Sequence, residues 1–406
     1  MTPTGLLTPL LAPGSPLEPK ARALVAELFE REARLMDALP TDDPLDEKRR
    51  RRVDLTRIEI LAQPAVIRDT LAKERANVTR AAQDLAKAGL RRIVMTGCGD
   101  SLAVMIAARL LFERVLGLPC EPIQALDFAY YTASTIGPDT LVITLSSSGT
   151  TTRTVEAALM AGALGSRTLA LSNTPGSALM VESDQGLLVR AERRGWPTQA
   201  STAALALLMQ FALDLGSALG RPADLIADMQ AALDAVPDQI AEVIAVHEDG
   251  IAALARHDAA RATYLFAGGG PAYACALFGA AKVKECSPDH AIAIPLEEFH
   301  HYNSHKPGDP LFIIAPRGPS VARARDTAFE GKRWGGRVYG IVADGETALG
   351  PYSDAVFHLP VVPEEMCGLV YCVPVQLFAY HLAMAKFAAA AAAPDPAAEP
   401  EADEPS

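Results

Sequence analysis

The first residues that could do chemistry are Ser146-Ser147-Ser148-Gly149-Thr150-Thr151, where five hydroxyls surround one glycine. The apolar run ending at Leu145 precedes them and a helical pattern follows at once. At a helix start the first N–H groups point outward and the aligned peptide dipoles leave partial positive charge, so hydroxyls and amides there form a cradle for an anion. A helix cap alone needs one or two such residues, and five in six positions exceed that need. The loop carries no lysine and lacks the spacing of a nucleotide-binding P-loop, which leaves a terminal phosphate monoester as the expected guest.

Two later segments hold groups that move protons. Lys282-Val283-Lys284-Glu285 closes an apolar helical stretch, and Glu298-Phe299-His300-His301-Tyr302 follows a short run that looks buried. A carboxylate and an imidazole are the natural pair for taking a proton from carbon and passing one to oxygen. Glu285 stands where the helix dipole disfavours negative charge, so it calls for a compensating partner. His300, His301 and His305 lie close together, but with no cysteine or obviously facing carboxylate beside them no metal is expected. No organic cofactor is expected either.

The elements that must position these groups alternate short β-branched runs with longer amphipathic ones, the signature of a parallel sheet covered by helices. In the first half, strands are expected at Arg92–Thr96, Thr140–Leu145, Thr168–Leu171 and Gly186–Val189, with helices over Leu102–Leu116, Thr152–Leu164 and Thr202–Leu219. A helical connector follows at Ile226–Ala255. The second half repeats the cycle, with strands at Thr263–Ala267, Ala291–Ile294, Leu311–Ala315, Arg337–Val342 and Ala355–Leu359. Its helices cover Tyr273–Glu285, Ser320–Trp334 and Val373–Phe387. One α/β architecture is thus used twice, each copy a doubly wound, flavodoxin-like parallel sheet. Each copy opens on a glycine cluster at a strand-to-helix turn, Gly97-Cys98-Gly99-Asp100-Ser101 and Gly268-Gly269-Gly270. Neither cluster has the spacing of a dinucleotide fingerprint.

Together the segments resemble a known family. Thr96-Gly97-Cys98-Gly99-Asp100-Ser101, the Ser146 to Thr151 loop, Leu171-Ser172-Asn173-Thr174-Pro175-Gly176-Ser177 and Gln199-Ala200-Ser201-Thr202 are similar, in order, to the sugar isomerase (SIS) domain. The likeness runs from Glu59-Ile60-Leu61-Ala62-Gln63-Pro64 to about residue 387 and is strongest to the isomerase portion of glucosamine-6-phosphate synthase. It implies that Ser101, Ser146, Ser147, Ser148 and Thr151 hold a sugar phosphate, and that Gly99, Ser201, Lys282, Glu298 and His300 lie at the substrate. It implies Glu285 as the proton-transferring base and His301 as the ring-opening acid/base, acting within a homodimer whose active sites are shared. Thr150 stands where the family often has Glu, and Ala203 where the synthase has Lys, so the sugar's identity is left open.

The same likeness sets the functional expectation: an enzyme acting on a hexose phosphate or amino-sugar phosphate, by aldose–ketose isomerisation or isomerising deamination. A fructosamine-6-phosphate-type deglycase and a non-catalytic sugar-phosphate sensor are the alternatives. Too few residues precede the first isomerase half for a glutaminase domain, and the stretch after Lys386 is lysine-free, so a glutamine-independent reaction without an imine through the tail is expected.

Composition sets the outer limits. The chain has 406 residues, 50% hydrophobic and 21% charged, which suits two globular domains. A formal charge of -12 argues against nucleic acid as a partner. No apolar run reads as long enough for a membrane span and no signal peptide is evident, so a cytoplasmic location without membrane contact is expected. Six cysteines without a C-x-x-C pair are expected to stay reduced. Arg49 to Arg52, flanked by Asp46, Glu47 and Asp54, is expected to be a solvated helix face. The expected divisions are a tail and leading helices (1–54), a first SIS domain (55–222), the connector (223–258), a second SIS domain (259–388) and a flexible acidic tail (389–406).

Overall fold

The computed structural model describes residues 11, 14–36, 39–302 and 305–393. Two leading helices, α1 (Pro19–Met36) and α2 (Glu47–Ala86), precede the first sheet unit. That unit contains β1 (Arg92–Gly97), α3 (Asp100–Leu116), β2 (Cys120–Gln124), β3 (Thr140–Leu145), α4 (Thr152–Ala163), β4 (Arg167–Ser172), β5 (Gln185–Leu188) and α5 (Gln199–Ala218). Helix α6 (Ala223–Asp258) leads to the second unit. There the order is β6 (Thr263–Gly268), α7 (Ala272–Cys286), β7 (His290–Pro295), α8 (Leu296–His301), β8 (Pro310–Ala315), α9 (Val321–Arg333), β9 (Arg337–Ala343), β10 (Ala355–Leu359) and α10 (Val373–Ala392).

Both sheets are five-stranded and wholly parallel, ordered β2-β1-β3-β4-β5 and β10-β9-β8-β6-β7. Read from the same edge, the two orders are identical, so the expected repeat of one architecture is present. Every residue of β3 is buried, as continuous apolar runs require when helices cover both faces. In each sheet the chain leaves its first strand toward one edge and returns on the other side, which creates a switch point at the carboxyl ends of β1 and β3. Gly97 pairs with Leu145 across those two strands, so the glycine turn and the hydroxyl-rich loop emerge side by side.

The halves share one core. Ile143 and Met95 of the first sheet belong to the same apolar cluster as Phe266, Phe312 and Phe378 of the second. Helices α3 and α7, each the first helix after its sheet's opening strand, pack against each other. Phe378 of α10 lies 4.5 Å from the Phe312 ring centroid and 5.7 Å from that of Tyr264. All six cysteines are unpaired.

Several expectations need correction. Strand β2 was not anticipated, because Cys120-Glu121-Pro122-Ile123-Gln124 is polar and contains proline; as an edge strand it needs partners on one side only. Strand β7 is the corresponding edge of the second sheet, and Ile292 there is 45% exposed, so the run before Glu298 is not the buried strand it resembled. Helix α2 runs without a break through residues 54 and 55. The expected N-terminal tail is partly structured, with Leu17 buried beside Val25. At the other end, α10 continues to Ala392 before the remaining residues, which lie outside the described ones. Gln199–Ala218 and Glu364–Ala392 are long and apolar enough to cross a membrane, contrary to the sequence reading. Their apolar length is used internally, since 89% and 94% of an 18-residue apolar segment within each are buried.

Because Phe378 joins the aromatic cluster of the second sheet to the common core, Phe378→Ala is expected to cost about 3–5 kcal/mol of stability. Urea unfolding followed by circular dichroism checks it, and both halves are expected to lose structure in one transition.

Candidate active site

The hydroxyl-rich loop is folded by its own side chains. Ser146 is buried, its Oγ lies 2.8 Å from Thr151 Oγ1, and it accepts the Gly149 N–H at 3.1 Å. Ser148 Oγ accepts the Thr150 N–H at 3.2 Å, and the Ser147 carbonyl accepts the Asn173 N–H at 3.1 Å. Gly149 has φ +63°, and a Cβ there would meet Ser177 Oγ at 1.9 Å, so glycine is required on two counts. Gly99, with φ +56°, makes the matching turn into α3.

These turns wall a cavity of about 240 Å³ lined by Gly99, Ser101, Ser147, Ser148, Thr151 and Ser201. Asp100, Arg193 and Glu285 complete the charged part of its lining. Ser146 does not line it: its hydroxyl shapes the loop from below. Thr150 faces a separate cleft of about 810 Å³ that also contains Ser147, Ser148, Arg193 and Arg31 of α1.

A charge network crosses from one half to the other at the cavity floor. Lys282 of α7 is 1% exposed, and its Nζ lies 2.7 Å from Asp100 Oδ2 and also donates to Glu285 Oε2. Ser201 Oγ donates to Asp100 Oδ2 at 3.4 Å. Burial opposes the charge on Lys282, but Asp100 and Glu285 outweigh it and hold the ammonium above the ordinary lysine value. Burial pushes the Glu285 carboxyl up; Lys282 draws it down, and Asp100 pushes it up again. Glu285 and Asp100 also border a second, largely apolar cleft of about 570 Å³ with Leu102, Ala103, Leu277 and Ile292 in its wall.

The basic run at the start of α2 is part of this arrangement rather than a solvated face. Arg49 is buried and donates to the Glu285 carbonyl at 2.9 Å, satisfying a free acceptor at the end of α7. Arg52 stacks 3.5 Å from the Trp196 ring centroid, and its charge acts on Glu285. Lys282, Arg49 and Arg52 therefore supply the compensation that a carboxylate at a helix C-terminus demands. One α2 face also fixes the loop bearing Arg193: Glu59 accepts the Arg194 and Gly195 N–H groups at 2.6 and 2.8 Å, and Thr56 Oγ1 accepts that of Trp196 at 2.8 Å. Only Arg50 and Arg51 of the run are exposed.

Comparison with known proteins agrees with the geometry. The family model described as SIS domain matches residues 84–214 and 259–386. The chain belongs to the SIS domain family. It is 31% identical over 345 residues to the glutamine–fructose-6-phosphate aminotransferase (isomerizing) of Escherichia coli O6:H1, covering 81% of this chain and 55% of that protein. The Yersinia pseudotuberculosis enzyme of the same name is 32% identical over 348 residues, with the same coverage. The chain thus spans about half the length of the curated relatives it matches. In fold it is similar to the C-terminal domain of glucosamine-fructose-6-phosphate aminotransferase from Francisella tularensis, with TM-score 0.75, 23% identity and coverage of 82% and 96%. The tagatose-6-phosphate ketose/aldose isomerase of Escherichia coli is also similar, with TM-score 0.67, 19% identity and coverage of 81% and 92%.

Within this SIS chain the second expected cluster does not reach the cavity. His301 is 62% exposed on α8, with Nε2 3.4 Å from Glu297. His300 Nε2 lies 3.1 Å from Thr327 Oγ1, burial pushes its pKa down, and Glu298 is exposed. None of the three lines either cavity that contains Glu285. His305 Nε2 lies 2.9 Å from the Asp309 carbonyl oxygen. Conversely, Asp100, Arg193 and Arg52 were absent from the expected site. Asp100 lay within the glycine-turn motif and could have been found there; Arg193 and Arg52 gave no local signal.

Gly149→Ala is expected to destabilise the protein by more than about 1 kcal/mol and to abolish the melting-temperature increase expected of the parent with a hexose 6-phosphate. Differential scanning fluorimetry with and without the sugar phosphate measures both effects.

Proposed function

We propose that this chain is a phosphosugar enzyme that transfers a proton between C1 and C2 of a hexose phosphate or amino-sugar phosphate, by isomerisation or isomerising deamination, without glutamine. The observation that carries this reading is that Ser147, Ser148 and Thr151 share one cavity with Glu285. Hydroxyls and amides of the loop anchor the phosphate, and that fixed end holds the C1–C2 bond beside a carboxylate. Glu285 removes the proton from one carbon and returns it to the other through an enediol or enolamine. Lys282 orients the carboxylate and offsets part of its charge.

His301 fits this scheme as the ring-opening group of a neighbouring copy, in a homodimer with shared sites. Its exposure on α8, away from its own chain's Glu285, supports that arrangement. A second reading, a deglycase that releases an amino acid from a fructosamine phosphate, is favoured by the apolar cleft on the far side of Asp100 and Glu285, which has room for a nitrogen substituent.

Incubation with fructose 6-phosphate, glucosamine 6-phosphate and a fructosamine 6-phosphate, with assay of sugar products and ammonia, separates these reactions; no turnover of any of them would refute the reading. Glu285→Gln is expected to lower kcat by roughly 10²- to 10⁴-fold with ligand affinity nearly unchanged. Glu285 acts as the anion and its pKa is raised, so kcat/KM is expected to fall, as pH drops, at a value above the ordinary glutamate pKa of about 4.3. Mixing the inactive Glu285→Gln and His301→Asn proteins is expected to restore partial activity, and no recovery in verified heterodimers would place His301 outside the reaction.

A further inference from the structure

Asp100 is the least neutralised acid at the cavity floor. It opens the first turn of α3, a 17-residue helix. Its Oδ2 is occupied by Lys282 at 2.7 Å and Ser201 at 3.4 Å, whereas Oδ1 accepts no hydrogen bond from the described residues. The side chain retains 13% exposure and borders both the phosphate cavity and the apolar cleft behind it.

Two carboxylates converge here on one lysine, and the surplus is unevenly distributed. Glu285 shares Lys282 and also feels Arg52. Arg193 stands with Ser147 and Ser148 in the outer cleft, at the phosphate end of the cavity, and Asp100 does not border that cleft. The site is therefore polarised: donors for an anion at one end, and an acceptor with an unused lone pair at the other. A carbonyl cannot donate to such an acceptor and a hydroxyl gives it a hydrogen bond without a countercharge, while an ammonium adds the attraction of opposite full charges to its hydrogen bond.

We infer that Asp100 is a specificity-determining residue that receives a cationic nitrogen at the C1–C2 end of the ligand, so that amine-bearing sugar phosphates are taken in preference to neutral ones. This rests on the phosphosugar reading above and narrows its substrate class: an amino-sugar phosphate or a fructosamine phosphate fits, and a simple aldose–ketose pair fits less well.

The test uses a matched pair of reduced ligands that cannot turn over, 2-amino-2-deoxyglucitol 6-phosphate and glucitol 6-phosphate, titrated calorimetrically into the full chain. The parent protein is expected to bind the amine about tenfold more tightly. Asp100→Asn is expected to reduce that preference to about twofold or less. Equal affinities in the parent, or a preference for the neutral ligand, would overturn the role of Asp100 and leave the phosphosugar reading standing. Failure of both ligands to bind would overturn that reading and this inference with it. The parent's preference is decisive even if the variant does not fold, and retention of the full preference in a folded Asp100→Asn protein would also reject the assignment.

Discussion

The Lys282 ammonium, almost fully removed from water, has one carboxylate from each half of the chain as its partners. An isolated charge in that position would be too costly to keep, and it persists because Asp100 and Glu285 both contact it. The pairing has a geometric consequence. It ties the first turn of α3 to the last turn of α7, and so holds the hydroxyl-rich loop of one half at a fixed distance from the carboxylate of the other. Neither half alone contains both that loop and Glu285. The shared core and the α3–α7 contact give that junction its rigidity, and Arg49 and Arg52 reach it from the leading helix.

The repeat explains why there is one such site and not two. The second sheet has an equivalent switch point between β6 and β8, but the chain leaving β8 reads Pro316-Arg317-Gly318-Pro319-Ser320. Two prolines remove N–H donors from that turn, and it has no hydroxyl before Ser320. The Glu364 carboxylate stands so close to Gly318 that a Cβ there would meet it at 2.7 Å. The Glu364 carboxyl group thus lies against the turn that follows β8, in place of a loop of hydroxyls. The second half instead contributes the end of α7, where Lys282 and Glu285 lie one helical turn apart on the same face.

Much of this was legible in the sequence wherever the signal was local. The hydroxyl-rich loop declared itself because five hydroxyls in six positions exceed what a helix cap needs, and β3 and β8 because both are short runs dominated by apolar and β-branched residues. Edges were harder. Strand β2 carries Pro122 and polar residues that a strand paired on one side tolerates, and Ile292 on β7 looked buried by type while facing outward. The Asp100–Lys282 pair could not be read, since it depends on two helices far apart in the chain meeting at one point. For the same reason Arg49 and Arg52 resembled solvated residues among acidic neighbours, and Ser146, counted with its fellow hydroxyls, turned out to brace the loop from inside. Gln199–Ala218 is apolar for burial between helices, a context that composition alone does not reveal.

The central claim is that one ligand spans the cavity, with its phosphate on the Ser146 to Thr151 loop and its reacting carbons against the acids joined by Lys282. A crystal structure with a bound, unreactive hexitol 6-phosphate measures this directly. Phosphate oxygens within hydrogen-bond distance of Ser147, Ser148 and Thr151, and the opposite end of the carbon chain against Glu285 and Asp100, is the result the account predicts. A phosphate held elsewhere, or a sugar whose C1–C2 end points away from Glu285, would contradict it.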